Sequence, residues 1–186
     1  MQQLMLILLA LSTPSAEKES KDPQLNLDFE EVTEEGKPAA WYLGGKGYDI
    51  GLDREVFHTG RASLCFESKP GARQFAVAKG NFPVALASGK KLIFSGWFKT
   101  EDVEEGRIGL WWRVDGREDG KRKILAFDNM YSNPVAETRD WQEYSIELDI
   151  PPNGTNINFG VLFTGEGTAW ADDLRIVLDG KTYRPR

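Results

Sequence analysis

One cysteine and one histidine are present among 186 residues. A single cysteine excludes an intrachain disulfide. Cys65 lies in the strand-like run Ala62-Ser63-Leu64-Cys65-Phe66 and reads as a buried, inert thiol. The histidine, His58, sits in the turn His58-Thr59-Gly60 and reads as a rim residue, with no Ser–His–Asp arrangement near it. Positive charge is also scarce: 23 Lys and Arg stand against 29 Asp and Glu, a net charge of −6. Nucleic-acid binding needs a basic face, so no nucleic-acid partner is expected. The short cluster Lys121-Arg122-Lys123 is offset by Glu118 and Asp119 and reads as a solvated loop. The apolar run Leu4 to Leu11 is too short to span a bilayer, so no membrane insertion of the mature chain is expected. No phosphate-cradling glycine loop precedes a helix, and no amphipathic helix of ten or more residues is offered.

Aromatics and turn formers are abundant. The chain carries six Trp, ten Phe, 19 Gly and nine Pro. Short strands with frequent turns are the pattern of an all-β domain. The stretch from Gly89 to Gly116 says most. It reads as two strands joined by a short charged loop. Leu92, Phe94, Gly96 and Phe98 fall on one face of the first; Ile93, Ser95, Trp97 and Lys99 fall on the other. In the second strand Ile108, Leu110, Trp112 and Val114 oppose Arg107, Gly109, Trp111 and Arg113. Period-two alternation marks half-buried strands.

If these strands pair as neighbours with Lys99 facing Arg107, then Trp97 faces Gly109 and Trp111 faces Ser95. The two indoles become diagonal neighbours on one outer face. Indoles lying flat beside fixed cations suit the C–H faces of a sugar. Arg113 and Asn129 offer several directed donors and Asp128 an acceptor. The expected ligand site is therefore Trp97, Trp111, Arg113, Asp128 and Asn129. Trp112 and Trp170 are expected in the core, and Trp41 at one end of the sandwich.

Along the chain, residues 1–16 read as a signal peptide: an apolar core, then Ser12-Thr13-Pro14-Ser15-Ala16. Export to the periplasm or exterior is expected. Residues 17–24 read as a disordered spacer, 25–180 as the folded domain and 181–186 as a frayed tail. Leu25, Leu27 and Phe29 alternate with polar residues and predict a first strand. Later strands are expected at Arg61–Phe66, Arg73–Ala78, Lys123–Phe127, Trp141–Ile150, Ile157–Phe163 and Trp170–Leu178. The predicted class is an all-β, two-sheet antiparallel sandwich of jelly-roll type.

Two segments carry a family resemblance. Asn26-Leu27-Asp28-Phe29-Glu30 at the start and Trp170-Ala171-Asp172-Asp173-Leu174 at the end resemble jelly-roll carbohydrate-binding modules for xylan and cellulose, of galactose-binding-domain-like architecture. Gly109 to Gly116, Phe127-Asp128-Asn129-Met130 and Asp140 to Tyr144 are similar to a bacterial accessory domain. That domain is attached to helix-turn-helix regulators and some hydrolases. The resemblance covers roughly Leu25 to Leu178, but this sequence offers no helix-turn-helix or hydrolase segment. It implies a structural calcium held by Glu30 and Asp172, with backbone oxygens near Gly60 and Ser63 completing the shell. The competing reading leaves both acids solvated or bonded to backbone amides.

Catalysis is not expected. Glu147 and Asp149 have the spacing of two jelly-roll glucanase acids, but Pro151 and Pro152 take the places of the third. The expected function is non-catalytic recognition of a carbohydrate or similar polar ligand. The alternative is a structural or protein-interaction module whose tryptophan face docks another polypeptide.

Overall fold

The computed structural model describes residues 23–72 and 74–183. The signal-like segment and most of the spacer lie outside the described residues. Nine strands follow an irregular entry segment: β1 (Tyr42–Gly44), β2 (Tyr48–Asp53), β3 (Ser63–Ser68), β4 (Phe75–Asn81), β5 (Lys91–Glu118), β6 (Lys121–Asp128), β7 (Val135–Asp149), β8 (Gly154–Leu178) and β9 (Lys181–Tyr183). One four-residue helix, α1 (Val84–Ala87), links β4 to β5. The all-β antiparallel sandwich expected from the alternation is the observed class.

Two long strands build both layers. β5 and β8 run antiparallel from Leu92 opposite Leu178 to Gly116 opposite Gly154. Phe94 and Trp112, both on β5, have ring centroids only 5.9 Å apart. Eighteen residues of straight strand would separate them by about 60 Å, so the ribbon must fold back on itself. The bend falls where the register slips, between Glu101 and Arg107. Bare backbone permits it. A Cβ on Gly106 would collide with the Thr164 carbonyl, and Gly165 and Gly167 have φ of 85° and 105°. Side chains at these positions would push the crossing strands apart.

Folding the ribbon yields two sheets. Sheet one runs β7, first half of β5, second half of β8, β3, β2. Sheet two runs β6, second half of β5, first half of β8, β4, β1. Between them lie Phe94, Phe98, Leu110, Trp112, Phe159 and Phe163, all fully buried. Trp112 occupies the core as its parity predicts. Trp41 is buried as well, packed on Phe29 and Phe159, with its Nε1 donating to the carbonyls of Leu25 and Asn26.

Four expectations need correction. The two halves of β5 do not pair with each other. Trp97 lies opposite Glu143 on β7 and Asp172 on β8, and Trp111 opposite Gly160. The segment around Leu25, Leu27 and Phe29 is no strand. Positive φ at Asn26 and Phe29 breaks the extended path, although all three apolar side chains are buried. The Asn26 side chain holds this irregular turn, donating to the carbonyls of Glu31 and Ala39 and accepting from the Glu31 amide. At the other end, 181–183 is strand, not fray. Tyr183 is buried with its ring 5.3 Å from Phe82. Finally, Trp170, expected in the core, does not share the inward parity of Leu174 and Ile176, and neither does Asp172. A bulge with Asp173 at φ 46° shifts the alternation. Trp170 therefore lies beside Lys99 on the outer side of sheet one, buried there with its Nε1 donating to Asp53.

Candidate functional site

The inward residues of both halves of β5 meet in one core, so their outward residues lie on opposite surfaces of the sandwich. Trp97 is on the outer face of sheet one and Trp111 on that of sheet two. The two indoles cannot share a ligand platform.

The face around Trp97 is covered. The His58 ring stacks on the Trp97 indole at 4.0 Å and 15°, and lies 5.6 Å from Trp141. His58 Nδ1 is 2.6 Å from Asp173 Oδ2. Asp172 Oδ2 accepts the amides of His58 (2.9 Å) and Thr59 (3.2 Å), and Thr59 Oγ1 donates to Asp173. Glu30 fastens the far end of the same loop. Its Oε1 accepts the amides of Arg61 (2.6 Å) and Ala62 (3.2 Å), and its Oε2 accepts Arg61 Nε. The loop from His58 to Ala62 is thus held down by three carboxylates.

Two of these carboxylates are the acids the resemblance implied for calcium. Their lone pairs point at amide hydrogens. No group of three or more His, Cys, Asp or Glu among the described residues is arranged to hold a metal ion. N–H groups stand where hard oxygen ligands would be needed, so the residues as arranged do not fit a calcium cage. Their titration reflects this setting. Burial tends to raise Glu30, but the Arg61 and Ala62 amides and the Arg61 guanidinium bring it below its ordinary value. Burial dominates at Asp172, with the Asp173 charge adding to it, and pushes its carboxyl to about 6 despite three amide bonds. Cys65 is half-buried, and burial raises its thiol to about 12, as an inert strand cysteine requires.

On the outer face of sheet two, Met130 of the loop after β6 packs against Gly109, and its Sδ accepts the Leu110 amide at 3.1 Å. Register places Trp111 on β5, Gly160 on β8, Lys79 on β4 and Tyr42 on β1 in one row across four strands. At the usual strand spacing the two aromatic ends are about 14 Å apart. Tyr42 is 60% exposed, with Lys79 Nζ 5.4 Å from its ring centroid. A polar row, Arg113, Asn158 and Asn81, flanks this line on one side. An apolar row, Gly109, Leu162 and Val77, flanks it on the other. Trp111 is half-buried, and its Nε1 is buried without a hydrogen-bond partner.

The remaining expected residues divide. Arg113 shares the Trp111 face and is bound to Asp115 Oδ1 by Nε (2.8 Å) and a terminal nitrogen (2.7 Å). Asp128 lies opposite core Trp112, and its Oδ1 accepts the Met130 amide to close a turn. Phe127, 52% exposed, takes the position beside Arg113. The Asn129 carbonyl borders the face at Gly109. Reasoning from sequence missed Tyr42, Lys79 and Asn158, which reach the site only through strand order. It also missed the His58–Trp97 stack, which no local pattern signals.

The architecture has relatives among solved structures. The CBM22-1 xylan-binding domain of Paenibacillus barcinonensis Xyn10C matches 81% of this chain and 90% of its own, at TM-score 0.53 and 17% identity. A xylan-binding domain of CBM 22 matches 83% and 97%, at TM-score 0.55 and 15% identity. The C-terminal family 22 carbohydrate-binding module of Clostridium thermocellum Xyn10B matches 86% and 98%, at TM-score 0.54 and 14% identity. The chain has the family 22 jelly-roll fold. In sequence it is 36% identical over 150 residues to an uncharacterized HTH-type transcriptional regulator, YbfP, of Bacillus subtilis. That match covers 78% of this chain and 50% of the regulator, so the chain spans half the length of its curated relative. No protein-family model matches the chain. No helix among the described residues is long and apolar enough to cross a membrane.

Proposed function

We propose that this domain is a non-catalytic carbohydrate-binding module whose ligand lies across the outer face of sheet two. The observation that carries the reading is the row Trp111–Gly160–Lys79–Tyr42, with an aromatic at each end and no side chain at Gly160 to obstruct the floor. A sugar chain crossing the strands would stack on Trp111 and Tyr42. Lys79, Asn158, Asn81 and Arg113 would bond its hydroxyls, with Asn129 at the rim. An apolar floor with a few directed polar groups is the usual composition of such sites. The jelly-roll fold held in common with xylan-binding modules supports the reading, and a plant polysaccharide is the first ligand class to try. Export is part of the proposal, supported by the signal-like segment at residues 1–16. In a protein built like the Bacillus regulator, the same face would serve as a sugar sensor.

The test is affinity electrophoresis on a panel of soluble polysaccharides, comparing wild type with Trp111→Ala and Tyr42→Ala. Retardation by at least one glycan, lost in both variants while their circular dichroism is unchanged, is the expected result. No retardation on any glycan, with a stoichiometric protein partner co-purifying instead, contradicts it.

A further inference from the structure

Positive charge is a minority in this chain, yet it collects at one place on sheet two. The hairpin joining β5 to β6 sets Arg117 directly opposite Arg122. Like charges facing each other across an antiparallel pair repel, so such a pair is a cost to the free hairpin. Both line a cavity of about 540 Å³, together with Arg113, Asp115, Lys123, Ile124 and Asn156. Local acids satisfy only part of this charge. Asp115 is held by Arg113 and by Asn156 Nδ2 at 3.3 Å, and Glu118 pairs with Lys123. Among the described residues, Arg117 donates to the neutral carbonyl of Gly120, at 3.1 Å, and to no carboxylate. Arg122 has no ion-pair partner among the described residues. The carboxylate in the lining, Asp115, is engaged by Arg113 and Asn156, so among the described residues neither Arg117 nor Arg122 has an ion-pair partner in the cavity.

The cavity adjoins the proposed sugar face, because Arg113 belongs to both. Ile124, 48% exposed, adds an apolar wall beside the cations. A planar carboxylate on a ring with an apolar C–H face matches this combination. Guanidinium forks bind carboxylates through paired, charge-assisted hydrogen bonds, which an ammonium cannot do. We infer that the Arg117–Arg122 cavity is a carboxylate site for a uronic-acid unit, so that the domain selects acidic glycans. The inference rests on the carbohydrate reading above and names the ligand class of that same surface. The anion relieves the arginine–arginine repulsion, and specificity comes from the charge, while stacking on Trp111 supplies sequence-tolerant contact.

Isothermal titration tests this with two probes: an oligosaccharide carrying a glucuronic acid branch, and the same molecule with that carboxylate reduced to an alcohol. Wild type is expected to bind the acid form about tenfold or more tightly, with the preference shrinking at high salt. In Arg117→Gln/Arg122→Gln, both exposed positions, the two probes become equal in affinity. Trp111→Ala weakens both. Equal binding of the two probes by wild type, or a preference that survives in the double variant, overturns the carboxylate site and leaves the sugar face standing. Binding of neither probe overturns the sugar face, and the uronate assignment with it. Inorganic phosphate binding more tightly than free glucuronate, in an arginine-dependent way, overturns the carboxylate assignment alone.

Discussion

The two outer faces of the sandwich each carry a half-buried tryptophan on β5, at mirror positions about the bend, yet their surroundings differ. On sheet one, Trp97 is roofed by His58, and the loop bearing His58 is nailed down by Glu30, Asp172 and Asp173. On sheet two, Trp111 has a glycine on its neighbouring strand and an exposed tyrosine two strands further on. An exposed-looking indole in a strand pattern is thus no ligand site by itself. What decides is whether a loop from elsewhere has acids waiting to receive it.

Removing the acids should break the contrast most strongly. Glu30→Ala strips the receptor from two backbone amides and a guanidinium, and a loss of about 3 kcal/mol in chemical denaturation is expected, chiefly from the two amides. Binding to glycan should not change at temperatures where the variant is folded. A loss under 1 kcal/mol would mean that the loop is not held as described.

The next effect is pH-dependent. Asp172 has its carboxyl raised in the folded state, so its favourable contribution is complete below the ordinary carboxylate range near pH 3.8 and is lost as pH rises through about 6. Relative to Asp172→Asn, wild type should lose up to about 3 kcal/mol between pH 4 and pH 7. His58 and Asp173 lie directly against it, so the comparison should be repeated in a His58→Gln background. A flat difference across that window would contradict the burial of the charge.

Trp97→Ala should cost about 2 kcal/mol through the lost His58 stack and exposed loop, with glycan binding unchanged. The smallest effect is the most discriminating for the calcium expectation. With Glu30 and Asp172 already committed to amides, millimolar calcium should leave the thermal midpoint where chelator leaves it. An upward shift that vanishes in Asp172→Ala would show that the cation displaces those amides.

These contrasts mark where sequence legibility ended. Alternation at Phe94 and Phe98, at Leu110 and Trp112, and at Phe159 and Phe163 announced the layers and the core, because burial on one face of a strand writes a period of two. Trp111 and Arg113 were legible as outward neighbours for the same reason. Pairing was not. The natural assumption that successive strands form a hairpin placed Trp97 beside Trp111, whereas β5 instead bends as a whole with β8 alongside. The cue was present in Gly106, Gly165 and Gly167, but glycines mark a bend only once one knows which backbones cross there. Tyr42 and Lys79 enter through β1 and β4, far away in sequence. The bulge at Asp173 flips Trp170 and Asp172 outward, and one inserted residue defeats any parity count.

The proposed ligand lies on the Trp111 face, not on the Trp97 face roofed by His58. Affinity electrophoresis of Trp111→Ala and Trp97→Phe side by side, on whichever polysaccharide retards wild type, tests it most directly. Loss of retardation in Trp111→Ala with full retention in Trp97→Phe is predicted; full retention in Trp111→Ala with loss in Trp97→Phe would contradict it.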